Sequence, residues 1–328
     1  MGEEKTGWSF GRPDAPLTPA FVERLLEPWR GQRVVAEVAQ FRGGLMNRNY
    51  RVRLGADIVV LRFYDRDARA GVKETTILRQ LSPTMRVPEV LHFDANPLDA
   101  AAPVAVLEFI DGITLRDLSR SGPPEAIAQA AFDTGHQLAR LASVRLANPK
   151  ILEAGTIDPS LLAQPNANAR LIDHFLSSPI VCARLSAADI ETTHGYAWSG
   201  EQRLTHAPRI SSFAHGDFNS ANILVKNGAH GWEVAAVIDW EFACSASIYV
   251  DIGNFLRYER PDRQRFEPAF SRGLADGGVD LPPDWRVLAR LADLAALCEL
   301  LTRSAAPDDV VDEVCDIVRG TTIAGAHA

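Results

Sequence analysis

The sequence predicts an α+β protein with two lobes, a small β-rich N-terminal lobe and a larger α-helical C-terminal lobe. Two observations support this prediction. From Arg33 to Ile110 apolar residues recur with a period of two, which is typical of strands. Further along the chain they recur at helical spacing, around one short β-rich island. We therefore expect one lobe in residues 1–110, where 1–16 forms a loose tail, and another in residues 111–328.

Composition and charge argue against several classes of protein. Apolar residues make up 46% of the chain and charged residues 23%, as in folded globular proteins. The net charge of −8 and the lack of a Lys/Arg run argue against a nucleic-acid partner. The four cysteines form no C-x-x-C pair, which favours a reducing cytoplasm over a zinc site or a disulfide framework. The apolar-rich stretch Val287 to Leu301 is too short and too charged to span a bilayer, so we expect no membrane association.

In the N-terminal lobe the sequence predicts an antiparallel sheet and two helices. Thr18-Pro19 has the form of an N-cap followed by proline at the first helical position, which indicates a helix through about Trp29. A second helix is indicated by apolar residues at helical spacing, namely Val72, Ile77, Leu78 and Leu81. The predicted strands, rich in Val, Ile, Tyr and Phe, are Arg33–Gln40, Asn49–Leu54, Ile58–Tyr64 and Val104–Ile110.

In the C-terminal lobe the sequence predicts a hairpin among amphipathic helices. The hairpin pairs Ile223–Val225 with Val234–Ile238 and turns at Lys226-Asn227-Gly228, because Asn-Gly is a strong turn signal. A small molecule would bind in the cleft between the two lobes. The predicted helices are Ala126–Leu141, Leu171–Leu185, Trp285–Leu301 and Asp308–Val318.

The stretch from His215 to Asn222, H-G-D-F-N-S-A-N, indicates chemistry. Asp217 can accept a hydroxyl proton, and Asn222, just before a predicted strand, offers an amide oxygen to a metal. Asp239 follows the partner strand, 17 residues after Asn222, so the hairpin would bring both residues to one end. Two oxygen ligands suit Mg²⁺, which keeps several waters and binds substrate phosphates.

H-G-D-x-x-x-x-N followed by Ile238-Asp239-Trp240-Glu241 resembles the motif pair of the aminoglycoside phosphotransferase and choline kinase family, which shares the protein-kinase fold. The resemblance implies that Asp217 is the catalytic base and that Asn222 and Asp239 hold magnesium. ATP would be the phosphoryl donor, and a hydroxyl group of a small molecule the acceptor.

Two further elements of the C-terminal lobe match this family. His215 would support the catalytic loop from within, and the segment Tyr249–Asn254 resembles the D-x-G-N segment that braces it. The resemblance covers roughly Arg33 to Arg257 and fades in residues 148–209, where substrate-recognition helices vary.

The resemblance also implies a nucleotide site in the N-terminal lobe. Gly43, Gly44 and Asn47 lie between two predicted strands, like the family's nucleotide-positioning loop, where glycines let backbone amides approach phosphate oxygens. The segment around Asp111-Gly112 resembles the linker between the lobes, in which the backbone of Glu108 and Ile110 would contact the adenine edge.

Arg62 is a departure from the family pattern. It lies on a predicted strand where the kinase fold places a phosphate-binding lysine, and Glu74 on the following helix matches the acidic partner of that lysine. Arginine can hold phosphate with two hydrogen bonds and keeps its charge. The alternatives are that Arg62 faces solvent, or that Lys73 replaces it from the helix.

The acceptor and two rival functions stay open. An aminoglycoside-like antibiotic is the first candidate acceptor, because the chain is acidic and Asp173, Asp189 and Glu191 could face a cation, although such residues are more often solvated helix surface. A choline-like alcohol, homoserine or a sugar would also fit the family. A protein kinase would need an A-P-E segment, which is missing. A non-catalytic nucleotide-binding pseudokinase is favoured only by Arg62. The oligomeric state is not predicted.

Overall fold

The computed structural model describes residues 17–41, 47–153, 164–208, 213–259 and 264–325. In these residues a five-stranded antiparallel sheet forms a small N-terminal lobe, and a three-stranded sheet lies among the helices of a larger lobe. The two-lobed α+β architecture predicted from the sequence is confirmed.

Eight strands and twelve α-helices form within the described parts of the chain. The strands are β1 (Val35–Gln40), β2 (Arg48–Leu54), β3 (Asp57–Phe63), β4 (Val90–Asp94), β5 (Val104–Glu108), β6 (Ile113–Thr114), β7 (Ile223–Gly228) and β8 (Gly231–Val237). The helices are α1 (Pro19–Leu25), α2 (Glu27–Arg30), α3 (Ala68–Leu81), α4 (Leu115–Ser121), α5 (Pro124–Ser143), α6 (Ala167–Leu176), α7 (Pro179–Arg184), α8 (Ala187–His206), α9 (Tyr249–Leu256), α10 (Glu267–Asp276), α11 (Trp285–Leu300) and α12 (Asp308–Gly325).

The five-stranded sheet determines which way the side chains of β3 point. Its strand order is β1-β2-β3-β5-β4, and every neighbouring pair is antiparallel. Leu61 and Phe63 pack with Tyr50 in a core on one face of this sheet. Because side chains alternate along a strand, Arg62 points to the other face. The sequence predicted all of these strands except the short edge strand β4.

Helix α3 covers the face of the sheet to which Arg62 points. The carboxylate of Asp67 caps its N-terminus by accepting a hydrogen bond from the Arg69 N–H at 2.9 Å. Ile77 and Leu78 are buried in one core with Tyr64, whereas Val72 is 42% exposed. This packing places Glu74 on the buried side of the helix.

Two predicted helices are interrupted in the structure. Thr18 caps α1 as predicted, because its hydroxyl accepts from the Phe21 N–H at 3.2 Å, but α1 ends at Leu25 and a separate turn of helix follows. The predicted helix Leu171–Leu185 breaks into α6 and α7. Ser178 adopts an extended conformation before Pro179, since proline disfavours the helical conformation in the residue that precedes it.

Helix α8 was not predicted, because its buried face is made of small and polar side chains. Thr193, Ala197, Gly200 and Glu201 are the residues it buries, and none gives a strong apolar period. Its N-terminus does carry a recognisable signal. Ser186 and Asp189 cap each other's backbone N–H groups in a capping box.

The hairpin of β7 and β8 forms two residues later than predicted. Gly228 pairs with Gly231, so the turn lies at residues 229–230 and the Asn227-Gly228 pair ends the strand instead of forming the turn. Gly231 has a φ of 104°, which glycine adopts readily. The far end of the hairpin, at Ile223 and Val237, is unaffected and adjoins the catalytic loop.

Candidate active site

The loop from His215 to Asn222 is held in place by buried polar contacts. The carboxylate of Asp251 in α9 accepts hydrogen bonds from the backbone N–H groups of His215 (2.8 Å) and Gly216 (2.9 Å). Asp251 is fully buried, which raises its pKa to about 7. Gly216 has a φ of 81°, and a Cβ there would collide with the carbonyl oxygen of Phe242, so the turn requires glycine.

The contacts of His215 define its neutral tautomer. Its Nε2 lies 3.0 Å from the Ile238 carbonyl oxygen, which can only accept, while its Nδ1 accepts the Asp217 N–H at 3.1 Å. Complete burial lowers the pKa of His215 to about 4, so the ring stays neutral at pH 7. His215 thus links the loop to the end of β8, as the sequence resemblance implies.

The carboxylate of Asp217 receives a hydrogen bond on each oxygen. Asn219 Nδ2 donates to Oδ1 and Asn222 Nδ2 donates to Oδ2, both at 2.8 Å. Burial raises the pKa of Asp217, and the nearby charge of Asp239 raises it further, against the effects of Arg257 and the two amides. The result is an oriented carboxylate with increased affinity for a proton.

The structure places Asn222 and Asp239 at neighbouring points, as the predicted hairpin requires. The Ile238 N–H donates to the Asn222 carbonyl oxygen at 2.9 Å. Asp239 then adopts a left-handed conformation with a φ of 68°, and the chain turns into a 3-10 helix, Trp240–Phe242. The Asn222 amide donates through Nδ2 to Asp217, which leaves its Oδ1 as a possible metal ligand.

Glu241 is a further carboxylate at this point, which the sequence analysis did not select. Asn47 Nδ2 donates to its Oε2 at 2.9 Å, whereas its Oε1 is buried with no hydrogen-bond partner. Burial and the charge of Asp239 raise the pKa of Glu241 to about 7. Glu241 could have been selected from the sequence, because it follows Asp239 by two residues in Ile238-Asp239-Trp240-Glu241. Its nearest cationic group is Arg62, whose Nη2 lies 3.9 Å from Oε1. A buried carboxylate oxygen without a hydrogen bond fits a site that receives a further cation.

The oxygen atoms of Asn222 and Asp239 suit magnesium better than a metal that takes all its ligands from protein side chains. Among the described residues no group of three or more His, Cys, Asp and Glu side chains is arranged to hold a metal. Magnesium is commonly bound by one or two carboxylates together with waters and substrate phosphates. Asn222 and Asp239, with Glu241 beside them, would supply that smaller set.

Arg62 is buried in the cleft, so the alternative of a solvent-facing arginine is wrong. Its side chain is 8% exposed, and its Nη2 donates to Asp239 Oδ1 at 2.5 Å. Its Nε lies 2.9 Å from Glu74 Oε2, an ion pair whose N–H is not aligned as a hydrogen bond. Arg62 therefore connects helix α3 to the proposed metal site.

Two hydrogen bonds hold Glu74 in addition to its ion pair with Arg62. Tyr64 donates its hydroxyl to Oε2 at 2.6 Å, and the Trp240 N–H donates to Oε1 at 3.0 Å. Burial raises the pKa of Glu74, and Arg62 opposes that shift. Lys73 is also buried, and burial lowers its pKa. It lies on α3 as expected, whereas Arg62 has the strand position.

Only some of the other residues predicted to bind the nucleotide lie in the described part of the chain. Gly43 and Gly44 lie outside the described residues, while Asn47 is buried against Glu241. The backbone N–H of Glu108 donates to the Glu89 carbonyl oxygen at 2.9 Å, so Glu108 can offer adenine at most its carbonyl group. Ile110 lies just beyond the end of β5.

A cavity of about 990 Å³ extends from Asp217 into the helices of the larger lobe. Three acids expected near a cationic acceptor are not among its lining residues. Asp173 binds the Trp198 indole N–H at 2.8 Å, and Asp189 caps α8 and pairs with Arg319. Glu191 is exposed on α8. These three acids therefore do not line the cavity of the described structure.

Comparisons with known proteins agree with this geometry. Residues 37–291 match the phosphotransferase enzyme family, APH. No curated protein sequence matches the chain significantly. Among solved structures, a candidate aminoglycoside phosphotransferase from Ralstonia eutropha JMP134 has a TM-score of 0.69 at 15% identity, covering 93% of this chain and 96% of that one.

Two further structures share the fold. Aminoglycoside phosphotransferase APH(4)-Ia has a TM-score of 0.64 at 19% identity, covering 94% of this chain and 99% of that one. A GDP complex of a variant aminoglycoside 2'-phosphotransferase-IIIa has a TM-score of 0.68 at 16% identity, covering 93% and 98%. At these identities the likeness establishes the fold of the chain. No helix among the described residues is long and apolar enough to cross a membrane.

Proposed function

The chain belongs to the phosphotransferase enzyme family, and we propose that it transfers the γ-phosphoryl group of ATP to a hydroxyl group of a small molecule. One observation supports this most directly. Asp217, Asn222 and Asp239 all line one end of the same cavity, with Asn222 bonded to Asp217. A base and two oxygen ligands side by side are what transfer between an alcohol and a nucleotide requires.

Asp217 is the proposed base. Its two amide partners orient the carboxylate, and its raised pKa increases its affinity for the hydroxyl proton of the acceptor. The proton moves from the acceptor oxygen to Asp217 as that oxygen forms its bond to the γ-phosphorus, while the bond from this phosphorus to the bridging oxygen breaks and ADP leaves. Most of the remaining acceleration comes from positioning and charge, as is usual for phosphoryl transfer.

The nucleotide end of the site is assigned to the N-terminal lobe. Arg62, held by Glu74, would supply positive charge beside the phosphates, and the backbone of Ile110 and the Glu108 carbonyl group would face the adenine. Asn222 and Asp239 would hold magnesium, which when bound neutralises phosphate charge. Gly43 and Gly44 are proposed to bring backbone amides to the phosphates.

The buried contacts of Arg62 weaken the proposal of a non-catalytic pseudokinase. That reading was favoured by arginine in place of lysine, but Arg62 contacts both Glu74 and Asp239. Glu74 is the partner that a phosphate-binding lysine has in the kinase fold. We also propose that the enzyme acts in the cytoplasm, because that compartment supplies ATP and keeps free cysteines reduced.

The identity of the acceptor is the part that the fold leaves open. Similar structures were solved with aminoglycosides: APH(4)-Ia with ADP and hygromycin B, and APH(2")-IIIa with GDP and kanamycin. An aminoglycoside-like compound is therefore one candidate, and homoserine, a choline-like alcohol or a sugar are others.

A screen for nucleoside diphosphate release tests the proposed function. Purified protein is incubated with Mg-ATP or Mg-GTP and a set of hydroxyl-bearing antibiotics and metabolites, and products are identified by mass. We expect an acceptor to gain one phosphoryl group in a reaction that Asp217→Asn abolishes. Equal turnover by Asp217→Asn would reject Asp217 as the base, and failure to bind either nucleotide would reject the kinase function.

A further inference from the structure

The cavity beyond Asp217 contains a polar side chain without a protein partner. Asn254 in α9 is 3% exposed and lines the cavity. Its Oδ1 is enclosed and forms no hydrogen bond, although a buried amide normally finds partners for its polar atoms. Asp251, three residues earlier, braces the catalytic loop. Asn254 makes no corresponding hydrogen bond within the described residues.

Two neighbours of Asn254 extend this polar surface. Ser247, just before α9, also lines the cavity, and its buried hydroxyl oxygen has no partner. Arg257 lies three residues after Asn254, on the same helical face. Tyr249 also lines the cavity, and burial together with the charge of Asp284 raises the pKa of its hydroxyl group.

Arg257 is fixed in place as a hydrogen-bond donor. Its Nε and Nη2 donate to the two carboxylate oxygens of Asp293 at 2.8 and 2.6 Å, and both side chains are buried. This side-on pairing leaves the Nη1 edge unused by Asp293, although the Tyr258 hydroxyl group also forms a hydrogen bond with this guanidinium group. Guanidinium groups donate and never accept, so this edge favours an oxygen over an ammonium group.

The acids of this cavity are already engaged. Glu299 pairs with Arg303 at 2.8 Å, and Glu201 accepts the Ala169 N–H at 3.0 Å near the start of α6. Apart from Asp217 and Asp239, these are the acids lining the described cavity, which also includes four arginines. Four acids and four arginines thus line the cavity, so its lining offers no net negative charge to a polycation.

We propose that Asn254, Ser247 and Arg257 form an acceptor subsite that recognises the hydroxyl groups of an uncharged polyhydroxylated compound, such as a glycoside or polyol. An amide and a hydroxyl can each donate and accept, which matches sugar hydroxyl groups. Leu171, Phe175 and Leu204 also line the cavity and would pack against the apolar face of such a ring. This inference rests on the proposed kinase function and names its substrate class.

The first test compares acceptors that differ in charge but share hydroxyl groups. Kanamycin and its fully N-acetylated derivative are suitable, together with a panel of neutral glycosides and polyols, in an ADP-release assay with mass detection. We expect the neutral compounds to have the higher kcat/KM. Higher kcat/KM for kanamycin than for its acetylated form and for every neutral compound would overturn the proposal.

The second test uses variants with the best neutral acceptor of that panel. We expect Asn254→Leu and Ser247→Ala each to raise the KM for this acceptor about tenfold, with a smaller change in kcat. Ser143→Ala, at an exposed position at the end of α5, is the matched control. Unchanged acceptor KM in both variants would overturn the subsite, and Ser247→Ala keeps the test valid if Asn254→Leu does not fold.

These outcomes are separable from failure of the proposed function. Calorimetry with Mg-ATP in the absence of acceptor measures the nucleotide site by itself. If the protein binds Mg-ATP and phosphorylates kanamycin preferentially, the kinase function stands and the neutral subsite is rejected. If it neither binds nucleotide nor phosphorylates any compound, the proposed function is rejected, and the subsite with it.

Discussion

The side-chain amide of Asn222 donates a hydrogen bond to Asp217 Oδ2 at 2.8 Å. This contact ties the proposed metal site to the proposed base, because one amide group serves both: its nitrogen orients Asp217 while its oxygen is left for a cation. The five-residue spacing seen in the sequence is thus the length of loop that closes this contact.

Replacing the proposed base should lower turnover without weakening nucleotide binding. We expect Asp217→Asn to lower kcat by roughly 10²–10⁴-fold, the usual contribution of a general base. The Kd for Mg-ATP should change little, because the side chain keeps its shape. Rapid-quench kinetics and calorimetry measure the two quantities. Wild-type kcat in a folded variant would contradict the assignment of Asp217.

Removing the carboxylate of Asp239 should abolish magnesium-dependent nucleotide binding. Asp239→Ala deletes a proposed ligand and leaves Arg62 with one carboxylate partner fewer. Calorimetric titration of ATP with and without Mg²⁺ gives the result, and Asp57→Ala, at an exposed position, is the control. If Mg²⁺ strengthens ATP binding equally in Asp239→Ala and wild type, Asp239 is not a ligand.

Arg62 should be needed for phosphate placement and for stability. Arg62→Ala leaves the buried Glu74 without its cation, which is expected to cost about 3–5 kcal/mol of unfolding free energy. Arg62→Lys restores the charge, so its ATP KM should rise less than that of Arg62→Ala. Chemical denaturation and steady-state kinetics provide the measurements, with the exposed Arg53→Ala as control. Wild-type ATP KM in both variants would show that Arg62 does not contact the nucleotide.

His215 should make folding sensitive to acid. Its folded pKa of about 4 lies below the ordinary value of 6.5, so the unfolded chain binds more protons between these values. Stability from the neutral ring is therefore complete above pH 6.5 and is lost as pH falls toward 4. Between pH 7 and pH 5 the loss should be on the order of 2 kcal/mol.

Asp251 also changes the unfolding free energy with pH, so the effect of His215 must be measured as a difference between two proteins. Its raised pKa of about 7 has the opposite effect, because stability from its protonated form is lost as pH rises through 7. The unfolding free energy of wild type minus that of His215→Gln, followed from pH 7 to pH 5, isolates the histidine. A difference that does not shrink with acid would show that His215 is not held neutral.

The buried pair of Arg257 and Asp293 should show strong coupling. Asp293→Leu alone leaves a buried guanidinium group unpaired and should cost about 3–5 kcal/mol. Adding Arg257→Met should recover part of that loss, because no charge then remains buried. A double-mutant cycle on unfolding free energies measures the coupling. Additive effects of the two changes would mean that the pair does not act as a unit.

The sequence determined the chemistry of this protein more fully than its shape. Asp217, Asn222 and Asp239 could be selected because their roles depend on residue type and on a spacing imposed by one loop and one hairpin. The strands β1, β2 and β3 could be predicted because burial that differs between their faces leaves a period of two in the sequence, and β5 because it is a short run of buried apolar residues.

Tertiary structure decided the features that depend on contacts between distant segments. The burial of Arg62 follows from α3 packing over β3, and the partner of Asn47 is Glu241, 194 residues away. Helix α8 packs through small side chains, whose burial leaves little apolar periodicity. The three acids expected at the acceptor site lie elsewhere because helix orientation, which sequence pattern does not encode, determines where charged faces point. Local spacing thus predicted the candidate catalytic groups, whereas long-range packing determined the cavity around them.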